Sequence, residues 1–219
     1  MVKWREEREL VLSTSLKLVE KGLVTGTAGN VSLRLLQEGS PDLIAITPTS
    51  RYYDMLNVDD IAVIDFNGAV VDGQFRPSSE MRLHIAIYQA RQDIRAVIHT
   101  HSVYASAASA AGLEIPVLLE EEAILLGGAV RTAKYARTGT SELAHNAVEA
   151  LVDRNAVLLA NHGAVGVGET IRQAMDVCEI VEKAAQVYFL TLTTGRINSL
   201  PEETVKALKE ALTKARKVQ

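Results

Sequence analysis

The heptapeptide AVIHTHS, residues 96–102, decides how the rest of the chain is read. Three apolar residues lead into two histidines spaced two apart. On a strand, residues i and i+2 point to the same face, so His99 and His101 would project side by side, as a chelating pair must. The stretch before it, PSSEMRLHIAIYQA at 77–90, opens like a helix, with a proline, two serines able to cap, and Glu80 in the first turn. A carboxylate there complements the helix macrodipole, or it faces the histidines as a further ligand and proton carrier.

Outward from this pair, strands and helices mix. Glu7 to Lys21 has roughly helical apolar spacing and ends at Gly22. TGTAGNVSLRL is a glycine-bearing loop entering a strand at Val31–Leu35. DLIAITP is a short strand stopped by Pro48, and DIAVIDFNGAVVDG is a hairpin turning at Asn67-Gly68. Ala96–His101 reads as a strand, Val103–Ala111 as a small-residue helix, and Pro116–Leu119 and Gly127–Val130 as short strands. Ser141–Asp153 is a helix capped by Thr140 or Ser141. Ala156–Ala160 is a buried strand that NHGAVGVG carries into another, and helices at Thr170–Leu192 and Pro201–Lys217 close the chain. A clear hairpin among mixed elements predicts an α/β three-layer sandwich with a mixed or antiparallel sheet, not a doubly wound parallel one. No linker or repeat divides the 219 residues, so one domain over 1–219 is expected.

Composition narrows the function classes. A net charge of −4 with no basic block gives no nucleic-acid footprint. No run of 18 apolar residues exists, so no membrane span is expected, and MVKWREERELVLSTSLKLVEKG lacks the apolar centre of a signal peptide. The single cysteine, Cys178, lies in an apolar helical pattern. It permits no disulfide within the chain and reads as a buried thiol. A reducing cytoplasm fits these features.

His162, in NHG, follows the apolar strand at the point where a loop begins. With His99 and His101 it makes three of the five histidines in strand or strand-end positions, whereas His84 and His145 fall within helices and read as core or surface residues. Three neutral imidazoles leave Zn²⁺ or a similar ion one open position, as a catalytic site requires. Ser78 and Ser79 at a helix start, TGTAGN, and TPTS at 47–50 supply small polar groups of the kind that receive a phosphate. TGTAGN is neither a P-loop nor a dinucleotide fingerprint, because no Gly-Lys-Ser/Thr follows and the loop leads from a helix into a strand.

The ordered set GTAGNVS, ITPTS, PSSE, the HTH strand, YARTGT and NHG resembles the class II aldolase/adducin family, typified by L-fuculose-1-phosphate aldolase, over nearly the whole chain. The resemblance implies a three-layer αβα sandwich with a largely antiparallel central sheet, and a homotetramer with active sites between subunits. It implies one Zn²⁺ per subunit on His99, His101 and His162, with Glu80 as metal-associated acid/base. Gly29, Asn30, Thr49, Ser50, Ser78 and Ser79 would hold the phosphate of a small sugar-phosphate substrate. The implied reaction is retro-aldol cleavage of L-fuculose 1-phosphate, or a close 5-deoxyketose 1-phosphate, to dihydroxyacetone phosphate and a short aldehyde such as L-lactaldehyde. Relatives on the same scaffold dehydrate methylthioribulose 1-phosphate or epimerise pentulose phosphates at C4, and adducin serves as a cytoskeletal scaffold without aldolase chemistry. The chain departs from the fuculose enzyme where that enzyme places a tyrosine after an Ile-Pro strand. Here IPVLLEEEAILLGG has none, and Glu120, Glu121 and Glu122 occupy the neighbourhood.

Overall fold

The computed structural model describes residues 3–216. Lys217, the predicted end of the last helix, lies outside them. The elements run α1 (Arg5–Glu20), β1 (Asn30–Leu35), β2 (Leu43–Ile46), β3 (Ala62–Ile64), β4 (Val70–Asp72), α2 (Met81–Ala90), β5 (Ala96–Thr100), α3 (Val103–Ala110), α4 (Glu120–Leu126), β6 (Thr132–Ala133), α5 (Ser141–Leu151), β7 (Ala156–Leu159), β8 (Gly163–Gly168), α6 (Ile171–Leu192) and α7 (Glu202–Arg216). The strands form one sheet in the order β4-β3-β2-β1-β5-β8-β7-β6. Every pairing is antiparallel except β6 with β7. The fold is therefore α/β with a largely antiparallel sheet, as the sequence predicts.

Period-two alternation divides the sheet's side chains between two cores. Ile44, Ile46, Val97, Val165 and Val167 pack with Leu83, Ile87 and Tyr88 of α2 and Leu143, Ala147 and Leu151 of α5. Leu43, Ala45, Val31, Leu33 and Ile98 pack on the other face with Val11 and Leu18 of α1 and Ala174, Met175 and Cys178 of α6. A third cluster joins α3 and α6 around Ala105, Ala108, Val177 and Val181. Burial pushes the Cys178 thiol up to about 12, so it is an inert part of this packing. The helices on both faces give the sandwich its three layers.

Three predicted boundaries shift. The strands expected at Pro116–Leu119 and Gly127–Val130 reduce to one bridging pair, Ile115 with Val130, followed by the two-residue β6. Between them lies a helix the apolar run concealed, α4. Glu122 starts it by accepting the main-chain N–H groups of Leu118 and Leu119 at 2.7 and 3.2 Å, and Gly127 ends it in the left-handed region. The strand expected to reach His101 stops at Thr100, because the His101 N–H turns away to the Leu23 carbonyl. Helix α2 begins at Met81, so Glu80 is its N-cap position and not part of its first turn. The predicted cap of α5 is Thr140, and α6 has a cap of the same kind at Thr170, the residue expected to begin the helix. Thr140 accepts the Leu143 N–H and Thr170 accepts the Gln173 N–H.

Helix α6 lies close over β8 because Gly168 carries no side chain. A Cβ there would stand 2.7 Å from Ala174 N and 2.9 Å from Thr170 O, both main-chain atoms that cannot swing aside. Gly168→Ala should therefore lower the unfolding free energy by about 1–3 kcal/mol, measured by urea denaturation.

Candidate active site

The site forms where β1, β5, the start of α2 and the turn between β7 and β8 meet. On β5, His99 shares the α2-facing side with Val97. On β1, whose Val31 and Leu33 face α1, the alternate residues Asn30 and Ser32 turn the same way as His99, and Asn30 is the register partner of His99. His101 lies one residue past the end of β5, and His162 in the tight turn leading into β8. The three imidazoles meet edge to face with ring centroids 4.7–4.9 Å apart.

Their Nε2 atoms converge. His99 Nε2 is 2.8 Å from His101 Nε2 and 3.3 Å from His162 Nε2. The Glu80 oxygens approach from the helix, Oε2 at 3.3 Å from His99 Nε2 and Oε1 at 3.5 Å from His162 Nε2. His99 Nδ1 donates to the Ala164 carbonyl at 2.9 Å, which leaves the Nε2 lone pair facing the cluster. Burial first, then the neighbouring imidazoles, holds His101 down at about 4; burial and His99 do the same to His162. Both rings are thus neutral near pH 7, the form that ligates a cation.

Burial works to raise the pKa of Glu80, but His99, His162, the Asn30 amide and His84 together outweigh it and lower it. Its Oε1 is buried with no hydrogen-bond partner. An orphaned carboxylate oxygen beside three inward-facing imidazole nitrogens is a donor set suited to a cation. In a tetrahedral zinc site, ligand atoms about 2.1 Å from the ion stand roughly 3.4 Å apart, and the contacts here are close to that spacing. The residues present fit a metal ion.

Gly163 has a steric role that its place in a turn does not reveal. A Cβ on it would lie 2.3 Å from the Thr100 carbonyl and 3.1–3.2 Å from the rings of His101 and His99. Only glycine lets the β7–β8 turn bring His162 this close.

The expected phosphate-binding segments are pinned to one another. Thr49 N–H donates to the Arg76 carbonyl, and Ser78 N–H to the Thr47 carbonyl, both at 3.0 Å. Thr47 Oγ1 accepts the Val31 N–H. The Tyr53 hydroxyl, kept protonated by burial, donates to the Gly29 carbonyl at 2.7 Å. Ser50 is held in the left-handed region at φ 55, an unusual conformation for serine. Ser79 and Ser50 are exposed, whereas Ser78 is buried and its hydroxyl accepts the Glu80 N–H. Asn30 is buried, and both ends of its side chain are engaged, Nδ2 with Glu80 and Oδ1 with His84. His145 is exposed on α5, whereas His84 is fully buried beside the site.

The acidic run of residues 120–122 divides into three ordinary tasks. Glu122 caps α4, Glu121 pairs with Lys183 at 2.5 Å, and Glu120 is exposed.

Residues 9–189 match the family model of the class II aldolase and adducin N-terminal domain. The chain belongs to that family. It is 37% identical over 204 residues to a 5-deoxy-D-ribulose 1-phosphate aldolase of Bacillus thuringiensis serovar kurstaki, covering 93% of this chain and 94% of the relative. It is also 37% identical over 201 residues to an L-fuculose phosphate aldolase of Escherichia coli, covering 91% of each. A solved L-fuculose 1-phosphate aldolase superposes with a TM-score of 0.91 at 37% identity, covering 97% of this chain and 98% of that one.

Removing one of the converging nitrogens tests the cluster. Purified His99→Ala should carry far less zinc than the parent chain, read by elemental analysis after dialysis against zinc. Equal content in both would count against the site.

Proposed function

We propose that this chain is a Zn²⁺-dependent aldolase, acting as a single catalytic domain over residues 1–219. It cleaves L-fuculose 1-phosphate, or a close 5-deoxyketose 1-phosphate, to dihydroxyacetone phosphate and a short aldehyde. The chain is a lyase; what is proposed is its metal, its substrate and the duties of its residues. One observation carries the reading, the approach of a buried carboxylate to three converging imidazole nitrogens. The names of the relatives at 37% identity support the substrate class.

His99, His101 and His162 would hold Zn²⁺, which supplies Lewis-acid stabilisation of the charge left on the enediolate oxygens. The His99 ring is fixed for that task by its bond to Ala164 O. Glu80 starts as a carboxylate against the histidines, takes up the proton that the C4 hydroxyl loses as the aldehyde forms and the C3–C4 bond breaks, and delivers it to C3 of the enediolate. Thr49, Ser50, Ser78, Ser79 and Gly29 would receive the 1-phosphate on hydroxyls and main-chain groups, holding C3 near Glu80 by geometry. At Asn30 the side chain is already taken up by Glu80 and His84, so contact there falls to the main chain of the loop.

A dehydratase would need its own base; of the acids at 120, 121 and 122, Glu122 caps α4 and Glu121 pairs with Lys183, which supports the aldolase reading over it. Nothing favours the C4 epimerase. An adducin-like scaffold has no use for a buried carboxylate held among three imidazoles. We place the enzyme in the cytoplasm, in keeping with its single buried cysteine; among the described residues no helix is long and apolar enough to cross a membrane. The chain would work as a homotetramer with active sites shared between neighbours, as its resemblance to the family implies.

Zinc-loaded protein incubated with L-fuculose 1-phosphate, and separately with 5-deoxyribulose 1-phosphate, should release dihydroxyacetone phosphate in a chelator-sensitive manner. No release from either would sink the aldolase reading. Glu80→Gln should fold and bind zinc but lose roughly 10²–10⁴-fold in kcat. Sedimentation equilibrium should return four chains per particle, and an active monomer would contradict a shared site.

A further inference from the structure

Behind Glu80 runs a buried chain of hydrogen bonds outside the metal cluster. Asn30 Nδ2 donates to Glu80 Oε2 at 2.8 Å. Asn30 Oδ1 faces His84 Nε2 at 2.5 Å, His84 Nδ1 faces the Ser32 hydroxyl at 2.6 Å, and that hydroxyl faces the Tyr88 hydroxyl at 2.8 Å. Asn30, Ser32 and His84 are all buried. Glu80, His84 and Tyr88 are spaced four apart and form one stripe from the N-cap of α2 along the helix, while Asn30 and Ser32 are two apart on β1.

The heavy atoms admit two directions of donation, and chemistry selects one. If His84 carried its proton on Nδ1, its bare Nε2 would require the Asn30 amide to turn its NH₂ toward the ring. The amide oxygen would then face the Glu80 carboxylate at 2.8 Å, acceptor against acceptor. The opposite order satisfies every contact. Tyr88 donates to Ser32, Ser32 to His84 Nδ1, His84 Nε2–H to Asn30 Oδ1, and Asn30 Nδ2 to Glu80. Tyr88 is free to donate inward, because the alternative acceptor, the Arg95 carbonyl, is farther away at 3.3 Å and already takes the Arg34 N–H at 2.8 Å. A doubly protonated ring is disfavoured by complete burial, which outweighs the attraction of Glu80 and holds His84 down at about 3.

We propose that His84, as the neutral Nε2–H tautomer donated to by Ser32, locks the Asn30 amide with its NH₂ toward Glu80, and so is a positioning residue for the acid/base of the site. The four donations run in one direction along the chain, and the last of them, from Asn30 Nδ2, reaches Glu80 Oε2. This leaves the other oxygen, the unpartnered Oε1, free for the reacting centre. The proposal rests on the reading of Glu80 as acid/base.

The test combines a spectroscopic and a kinetic readout on the zinc-loaded protein. Nitrogen-15 NMR of histidine-labelled protein, with the His84 signals assigned by their loss in His84→Gln, should show a proton on Nε2 and a bare Nδ1 at pH 7. This is the opposite tautomer to that of His99. His84→Leu should lower kcat by about 10–100-fold with KM within about twofold, at unchanged zinc content. His84→Gln can both donate and accept at this position and should recover most of that loss. Should the leucine variant not fold, Ser32→Ala removes the hydroxyl that donates to His84 Nδ1 and should lower kcat without moving KM. A proton on Nδ1 of His84, or wild-type kcat in both His84→Leu and Ser32→Ala, would overturn the proposal. Wild-type inactivity on every ketose phosphate would count against the aldolase reading alone, because the tautomer is read without turnover.

Discussion

The Glu80 carboxylate is 6% exposed, and a charge so far from water must find partners from several directions at once. They come from four separate parts of the chain. Asn30 arrives from β1, His99 from β5, His162 from the β7–β8 turn, and His84 supports Asn30 from within α2 itself. No local segment can supply them together. The carboxylate is tolerable only once the sheet is in register and α2 is docked on it, and this ties the site's charge state to the completed fold.

The sheet provides that register. Asn30 stands opposite His99 and Ser32 opposite Val97, so one slip between β1 and β5 would turn the polar pair of β1 into the α1 core and present Val31 to Glu80. The tight turn at His162 then depends on Gly163 lying against the Thr100 carbonyl. Outside the histidine cluster, the segments around residues 47–50 and 76–79 are held by main-chain hydrogen bonds to each other, so their hydroxyls are placed by backbone and not by side-chain packing.

The polar residues of β1 are the instructive misfit between pattern and fold. In NVSLRL the alternation of polar with apolar residues has the form of a strand with one face in water. Asn30 and Ser32 are buried all the same, because α2 brings His84, Tyr88 and Glu80 to meet them. The signal was present at the helix, where Glu80, His84 and Tyr88 recur every four residues. Neither stripe is informative until it is known that the two face each other. The run at 120–122 fails in the opposite direction. Three consecutive acids look like chemistry, and one of them instead completes the missing main-chain bonds of a short helix that the apolar run disguised as two strands.

Local rules were enough for much of the molecule. The hairpin at Asn67-Gly68, the cap at Thr140 and the buried cysteine follow from turn chemistry, capping and periodicity, which act over a few residues. The histidines of HTH and NHG were also legible, because their residue type and strand-end setting mark them without knowledge of their partners. Only the tertiary structure decided that His101 lies beyond its strand, that Glu80 turns away from its helix toward the imidazoles, and that Asn30 serves the carboxylate. Those outcomes depend on contacts between residues 19 to 82 positions apart, where the cost of burying a charge or an amide is set by what the rest of the chain brings to meet it.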